Sequence, residues 1–187
     1  ADIGRIIINA PGQYRIYADI YGKSSHAGSY PEKGVSAIMA ASRAINNMKL
    51  LRIDEETTAN IGTSCGVGQT NVVNDHVEIT AEARSLSQDK LEKQAKHMIN
   101  CLEEACDFYG ARLELNSYQS YVGYKLSEDD PHVQLIVKKC EELGLSPWLT
   151  FTGGNSDANN FNANGITTAV LACGMELMHT TNERISL

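Results

Sequence analysis

Apolar and polar positions alternate along residues 14–21, with Tyr14, Ile16, Ala18 and Ile20 on one parity and Arg15, Tyr17, Asp19 and Tyr21 on the other. A period of two in β-branched and aromatic residues predicts a half-buried strand, which Gly22 ends. A polar loop, KSSHAGSYPEKG, follows. Val35, Ile38, Met39, Ile45 and Met48 then recur at helical spacing and predict an amphipathic helix of about four turns. Residues 57–64 read as a second strand. Val77, Ile79, Ala81 and Ala83, alternating with Glu78, Thr80, Glu82 and Arg84, predict a third.

Ser87 is placed to cap the next helix, whose core stripe is Leu91, Ala95, Met98, Leu102, Ala105 and Tyr109. Gly110 stops it, and alternation through Leu113 and Leu115 predicts a fourth strand over 112–118. Strand, helix, strand, strand, helix, strand is the ferredoxin-like βαββαβ order, with both helices on one face of an antiparallel sheet. After Tyr124 the character changes. SEDDP resembles a capping box with Pro131 in the first turn, and it opens a helix through Val133, Ile136, Val137 and Cys140. A short strand around 148–152 meets the turn FTGGNSDANNF, and an apolar run at 167–172 precedes a polar tail. These few strands make an α/β piece too small to cover both faces of a sheet. The expected class is therefore α+β, a complete domain joined to a partial one.

Composition narrows the function classes. In 187 residues, 16 Lys+Arg against 23 Asp+Glu give a net charge of −7, and a pI near 5.2 argues against an electrostatic nucleic-acid partner. No apolar stretch approaches the roughly 20 residues that span a bilayer, and ADIGRIIINAPGQ lacks the parts of a secretory signal. Five cysteines, an odd number without CxxC spacing, read as reduced thiols of a cytoplasmic protein. A start at Ala1 is as natural for a segment of a longer protein as for a processed chain.

Five histidines are the candidate chemical groups. His97 falls off its helical stripe, His132 sits in a first turn and His76 in the turn NVVNDH, so all three read as solvated. His26 lies in a Gly/Ser loop between a strand and a helix, where functional side chains concentrate. His179 lies in the polar tail, and one histidine cannot make a zinc site. The pairs Glu55–Glu56, Glu103–Glu104 and Glu141–Glu142 read as solvated charge at or on helices. Gly153 and Gly154 could allow close backbone approach or merely turn the chain. Arg84 could pair with Glu82 or face solvent.

GKSSHAGSYPEKGVSAI, TNVVNDHVEITAEARS, TGGNSDANNF and MHTTNERI, in that order, resemble the lid domain and C-terminal catalytic segment of peptidase T-like tripeptidases. These belong to the co-catalytic zinc aminopeptidase, carboxypeptidase and aminoacylase superfamily. The resemblance implies that residues 1–13 end the N-terminal half of a catalytic domain. Residues 14–122 would form a dimerising lid, and 123–187 the C-terminal part of the catalytic domain. His26 would donate a hydrogen bond to the scissile carbonyl in a partner subunit's site. Asn71 would contact substrate, and Arg84 would grip its carboxylate with a two-pronged guanidinium. Gly153 and Gly154 would line the pocket, and His179 would be the last zinc ligand. Asp157 is not expected to bind metal.

The implied enzyme hydrolyses short peptides with two zinc ions and forms a homodimer through the lid. Its remaining ligands and its general base, a Glu in a Glu-Glu pair, come from an N-terminal half that this sequence does not contain. The chain alone is thus expected to be inactive and to hold no stoichiometric zinc. A rival reading is a non-enzymatic ferredoxin-like module for dimerisation or small-ligand binding, which has no use for TGGNSDAN and MHTTNE. An RNA-binding sheet fails on charge and on a shortage of exposed aromatics.

Overall fold

The computed structural model describes residues 3–178 and 180–185. It divides into two compact units, Gln13–Ser120 and the pair of segments Ala1–Gly12 and Tyr121–Leu187. In chain order the elements are β1 (Arg5–Ala10), β2 (Gly12–Tyr21), α1 (Ala37–Asn47), β3 (Leu51–Arg52), β4 (Thr57–Cys65), β5 (His76–Ser85), α2 (Gln88–Tyr109) and β6 (Arg112–Tyr121). There follow β7 (Tyr124–Lys125), α3 (Pro131–Glu142), β8 (Trp148–Phe151), α4 (Asp157–Ala163), β9 (Val170–Leu171), β10 (Met175–Glu176) and β11 (Arg184–Ile185).

The first unit carries a sheet in the order β3-β4-β5-β2-β6. Leaving aside the two-residue β3, this is the second, third, first and fourth strands of βαββαβ, the ferredoxin-like arrangement. The antiparallel β4–β5 ladder runs from Thr57 opposite Ser85 to Cys65 opposite Glu78, and its register slips between Ile61 and Thr63. Ile16, Ala18 and Ile20 of β2 and Val77, Ile79, Ala81 and Ala83 of β5 bury one face of the sheet against both helices. The other parity stays open. On it Tyr17 stacks on Tyr118, more aromatic surface than the sequence reading expects there.

The two helices depart from expectation in instructive ways. In α2 the predicted stripe is buried from Leu91 to Ala105, joined by Gln94, Cys101 and Cys106. Ser87 occupies the cap position of α2, yet its side chain makes no cap hydrogen bond. At the other end Gly110 takes φ +69°, and Ala111 N donates to Cys106 O at 2.9 Å, a left-handed stop that favours glycine. In α1 the buried face is Ala37, Ala40, Ala41 and Ala44, while Ile38 and Met39 are exposed. Small side chains at these spacings allow close helix packing, so the alanine face wins the core. Of the expected stripe Met48 is buried and Ile45 packs against the core, whereas Ile38 and Met39 face outward.

In the second unit β1 is central. It pairs in parallel with β8 and antiparallel with β7 and β9. Ile6 and Ile8 pack with Val133 of α3 and with Ile136, Val137 and Leu149 around them. Asp130, followed by Pro131, caps α3 by accepting from His132 N at 2.8 Å. Trp148, Phe151, Leu171, Met175 and Met178 are exposed. Among the described residues no helix is long and apolar enough to cross a membrane.

Candidate functional site

The loop between β2 and α1 presents His26 at the surface. Its Nδ1 accepts from the backbone N–H of both Gly28 and Ser29, each at 3.1 Å. An imidazole nitrogen that accepts holds no proton, so in the neutral ring the proton sits on Nε2. The loop thereby fixes one tautomer and leaves Nε2–H as an outward donor. His26 forms an isolated antiparallel bridge with Val72, and Ala27 N donates to Asn71 O at 2.9 Å. His26 and Asn71, 45 residues apart in the chain, are therefore neighbours.

Arg84 is elsewhere, one residue from the far end of β5. Its Nε donates to Glu82 Oε1 at 2.8 Å and its second terminal nitrogen to Glu82 Oε2 at 3.2 Å. Glu82 also accepts from Gln13, a buried amide whose oxygen accepts from Ser120 Oγ at 2.9 Å. The arginine thus sits in a braced polar network on the open face. The length of β5 separates it from the His26–Asn71 pair, which lies beyond the His76 end.

Gly153 and Gly154 follow β8. Gly154 borders a cavity of about 300 Å³ lined also by Arg5, Ile7, Asn155, Val170 and Met175. Neither glycine needs a left-handed backbone. A side chain at Gly153 would meet nothing within 4 Å, and one at Gly154 only Thr152 Oγ1 at 3.8 Å. Neither backbone conformation nor packing therefore requires glycine at these positions.

Asparagines that the sequence reading passed over tie this segment to the backbone around it, and one of them, Asn155, lines the cavity. Asn159, nearly fully buried, donates to Pro11 O at 3.1 Å and Val122 O at 2.9 Å. Asn155 also donates to Pro11 O, at 2.6 Å, and its buried Oδ1 has no hydrogen-bond partner. Asn162 bridges Ala158 O and Thr168 O, both at 2.8 Å. A run of Asn in a turn signals caps and side-chain-to-backbone bonds, the one cue available from sequence.

Three histidine and glutamate readings need correction. His76 is not a solvated turn residue: it opens β5, bonds Asp19 Oδ1 through Nε2 at 2.8 Å and stacks on Tyr21. His97 is not free on its helix, because its Nε2 accepts from Lys49 N at 3.1 Å. Glu55–Glu56 lies in the turn between β3 and β4, where Glu56 accepts from Lys90 at 2.8 Å. His132 is exposed beside Asp130, as expected. His179 lies outside the described residues.

The metal ligand that the resemblance implies, His179, lies outside the described residues. Among the described residues the group of three or more metal-ligating side chains that converge is Asp19, His76 and Glu78, on the ferredoxin-like sheet. No such group borders the cavity beside Gly154 among the described residues. All five cysteines are free, and burial pushes the Cys101 and Cys106 thiols up.

A family model described as the peptidase dimerisation domain matches residues 12–109. An uncharacterized protein of Bacillus subtilis (strain 168), YqjE, is 46% identical over 185 residues, covering 99% of this chain and 50% of that protein. The crystal structure of aminopeptidase PepT from Bacillus cereus matches with a TM-score of 0.90 and 45% identity, over 99% of this chain and 50% of that one. That of a tripeptidase from Staphylococcus aureus gives 0.93 and 42%, over 99% and 49%. The chain thus spans about half the length of these relatives. It belongs to the peptidase dimerisation domain family, as a peptidase T-like member.

Proposed function

We propose that this chain is the lid and C-terminal catalytic portion of a metal-dependent, cytoplasmic peptidase that hydrolyses tripeptides and similar short peptides as a homodimer. The carrying observation is the fixed tautomer of His26, whose Nε2–H points away from its own loop. A preorganised donor of this kind suits a carbonyl oxygen that gains negative charge as the peptide bond is attacked. Asn71 stands beside it as a second polar contact. Arg84, oriented by Glu82, grips the substrate carboxylate. Gly153 and Gly154 keep the cavity mouth open to the peptide backbone.

Distance supports the dimer. From His76 to Arg84 along β5 is eight residues, or roughly 26 Å at ~3.3 Å per residue. His26 lies beyond the His76 end, and an extended tripeptide is only about 10 Å long. One lid cannot bring both groups to one such peptide, so the two act in different sites and the partner lid supplies the other. The surface that suits the contact is the outer edge of β4. There β3 covers only Thr58 and Ala59, leaving Asn60–Cys65 without a neighbouring strand on that side among the described residues. Ile38, Met39 and Val67 expose apolar surface in the same unit.

The attacking water, its base and most metal ligands come from the remaining length that relatives possess. The exposed Trp148, Phe151, Leu171 and Met175 give that remainder an apolar surface to cover. His179 is its one metal ligand from this side. Extending the chain to its relatives' length should produce a metal-dependent tripeptidase, abolished by His179→Ala. The chain alone should cleave no tripeptide. Hydrolysis by the chain alone, or a fully active His179→Ala enzyme, would overturn the reading. The rival of a purely structural dimerisation module predicts no hydrolysis in either form.

A further inference from the structure

We propose that Asp19, His76 and Glu78 form a divalent-cation site on the open face of the lid sheet, suited to zinc and related first-row ions and separate from any metal held by His179. The sequence places the three together by parity. His76 and Glu78 are two residues apart on β5 and so share a face, while Asp19 lies on the same face of the neighbouring β2. One ligand atom from each lies within 4.8 Å of the others. One imidazole with two carboxylates is a donor set for zinc, cobalt, nickel or manganese, with open positions left for water.

Two further observations favour a cation here over a plain polar cluster. The His76 ring is already aimed: it stacks on Tyr21 at 4.7 Å and 17°, which holds Nε2 at 2.8 Å from Asp19 Oδ1. The exposed Glu78 side chain, by contrast, makes no hydrogen bond or ion pair with any described residue, although it stands beside a second carboxylate. Arg112 lies over Tyr21 at 4.2 Å but is paired with Glu114. Two carboxylates converging on one imidazole make a donor set whose charge suits a divalent ion.

The ion would tie β2 to β5 at the end where Gly22 N donates to Asp75 O at 2.9 Å. The loops bearing His26 and Asn71 leave the sheet at this point. Occupancy should therefore stiffen the base of the loop that presents His26. The site stands on the lid alone and holds whether or not the peptidase reading does.

Calorimetric titration of the chelator-treated chain with zinc chloride tests it. One ion per chain should bind. His76→Phe, which keeps an aromatic ring on Tyr21, should weaken binding about tenfold or more, the scale on which a single residue at a metal site acts. Glu78→Gln, at an exposed position, should weaken it in the same way, and His179→Ala should leave it unchanged. Circular dichroism confirms that each variant is folded. Absence of saturable binding would overturn the proposal. So would binding untouched by both lid substitutions, lost with His179→Ala, or lost when the exposed Cys65 and Cys173 are alkylated. Failure here leaves peptide hydrolysis by the completed enzyme intact, which separates the two ideas.

Discussion

Glu82 holds Arg84 by a two-point contact on the same face of β5, Oε1 accepting from Nε at 2.8 Å and Oε2 from a terminal nitrogen at 3.2 Å. The pair is part exposed, about 30% for each side chain, so its contribution to stability is small. Its use is orientation. Glu82 and its brace, Gln13, restrict a long flexible side chain to one direction before any ligand arrives.

In the completed enzyme Arg84→Ala should raise KM for peptides with a free carboxylate by roughly tenfold to a hundredfold, the worth of a charged hydrogen bond. It should leave kcat nearly unchanged, because the contact is made equally in ground and transition states. Peptides with an amidated C-terminus should show no such change. Glu82→Gln should move KM in the same direction by less. Steady-state kinetics on the two peptide classes checks both.

His26→Ala should act on the other parameter. Loss of a preorganised donor to a developing oxyanion costs about 10²–10³ in kcat, with KM little affected. His26→Gln, which can still donate, should recover part of the rate. A pure KM effect would assign His26 to substrate binding instead.

The stability of the lid should depend on α2. Met98 and Leu102 are fully buried against the sheet, so truncating either to Ala should cost about 2–5 kcal/mol in urea unfolding. Ala at Gly110, where φ is +69°, should cost about 1 kcal/mol. Ile38→Ala should cost far less, since the residue is exposed.

Acid should weaken the turn between β3 and β4. The backbone N–H of Glu56 beside Asp54 holds its carboxyl below the usual carboxylate range, with help from Thr57 and Lys90. A folded-state value below the unfolded one means a contribution present above the unfolded value, near pH 4, and lost as pH falls through the folded value. Asp54→Asn should lower stability at neutral pH and flatten its fall below about pH 4. Urea titrations at several pH values read this directly.

Strict periodicity made much of this fold legible. The alternation in β2 and β5 and the long stripe of α2 each encode their inward face in side-chain size and polarity, and the structure follows them. The face of α1 was legible only in Ile45 and Met48, because Ala37, Ala40, Ala41 and Ala44 carry little hydrophobic signal and Ile38 and Met39 carry much. Alanine wins by allowing close approach, a property of the neighbour as much as of the residue. Partners distant in sequence were hidden for a related reason. His76 meets Asp19 across 57 positions and His97 meets Lys49 across 48, so neither histidine announces its role locally. His26 could be singled out by its loop, yet its tautomer needed the backbone of Gly28 and Ser29.

The central claim is that His26 and Arg84 serve different sites within a dimer of lids. Subunit mixing in the full-length enzyme tests it most directly. His26→Ala and Arg84→Ala homodimers should both be impaired on peptides with a free carboxylate. Unfolded together and refolded, they should regain about a quarter of the wild-type rate, because half the dimers are mixed and each mixed dimer has one intact site in a two-fold assembly. Activity no higher than the mean of the two homodimers would contradict the claim and place both residues in the site of a single chain.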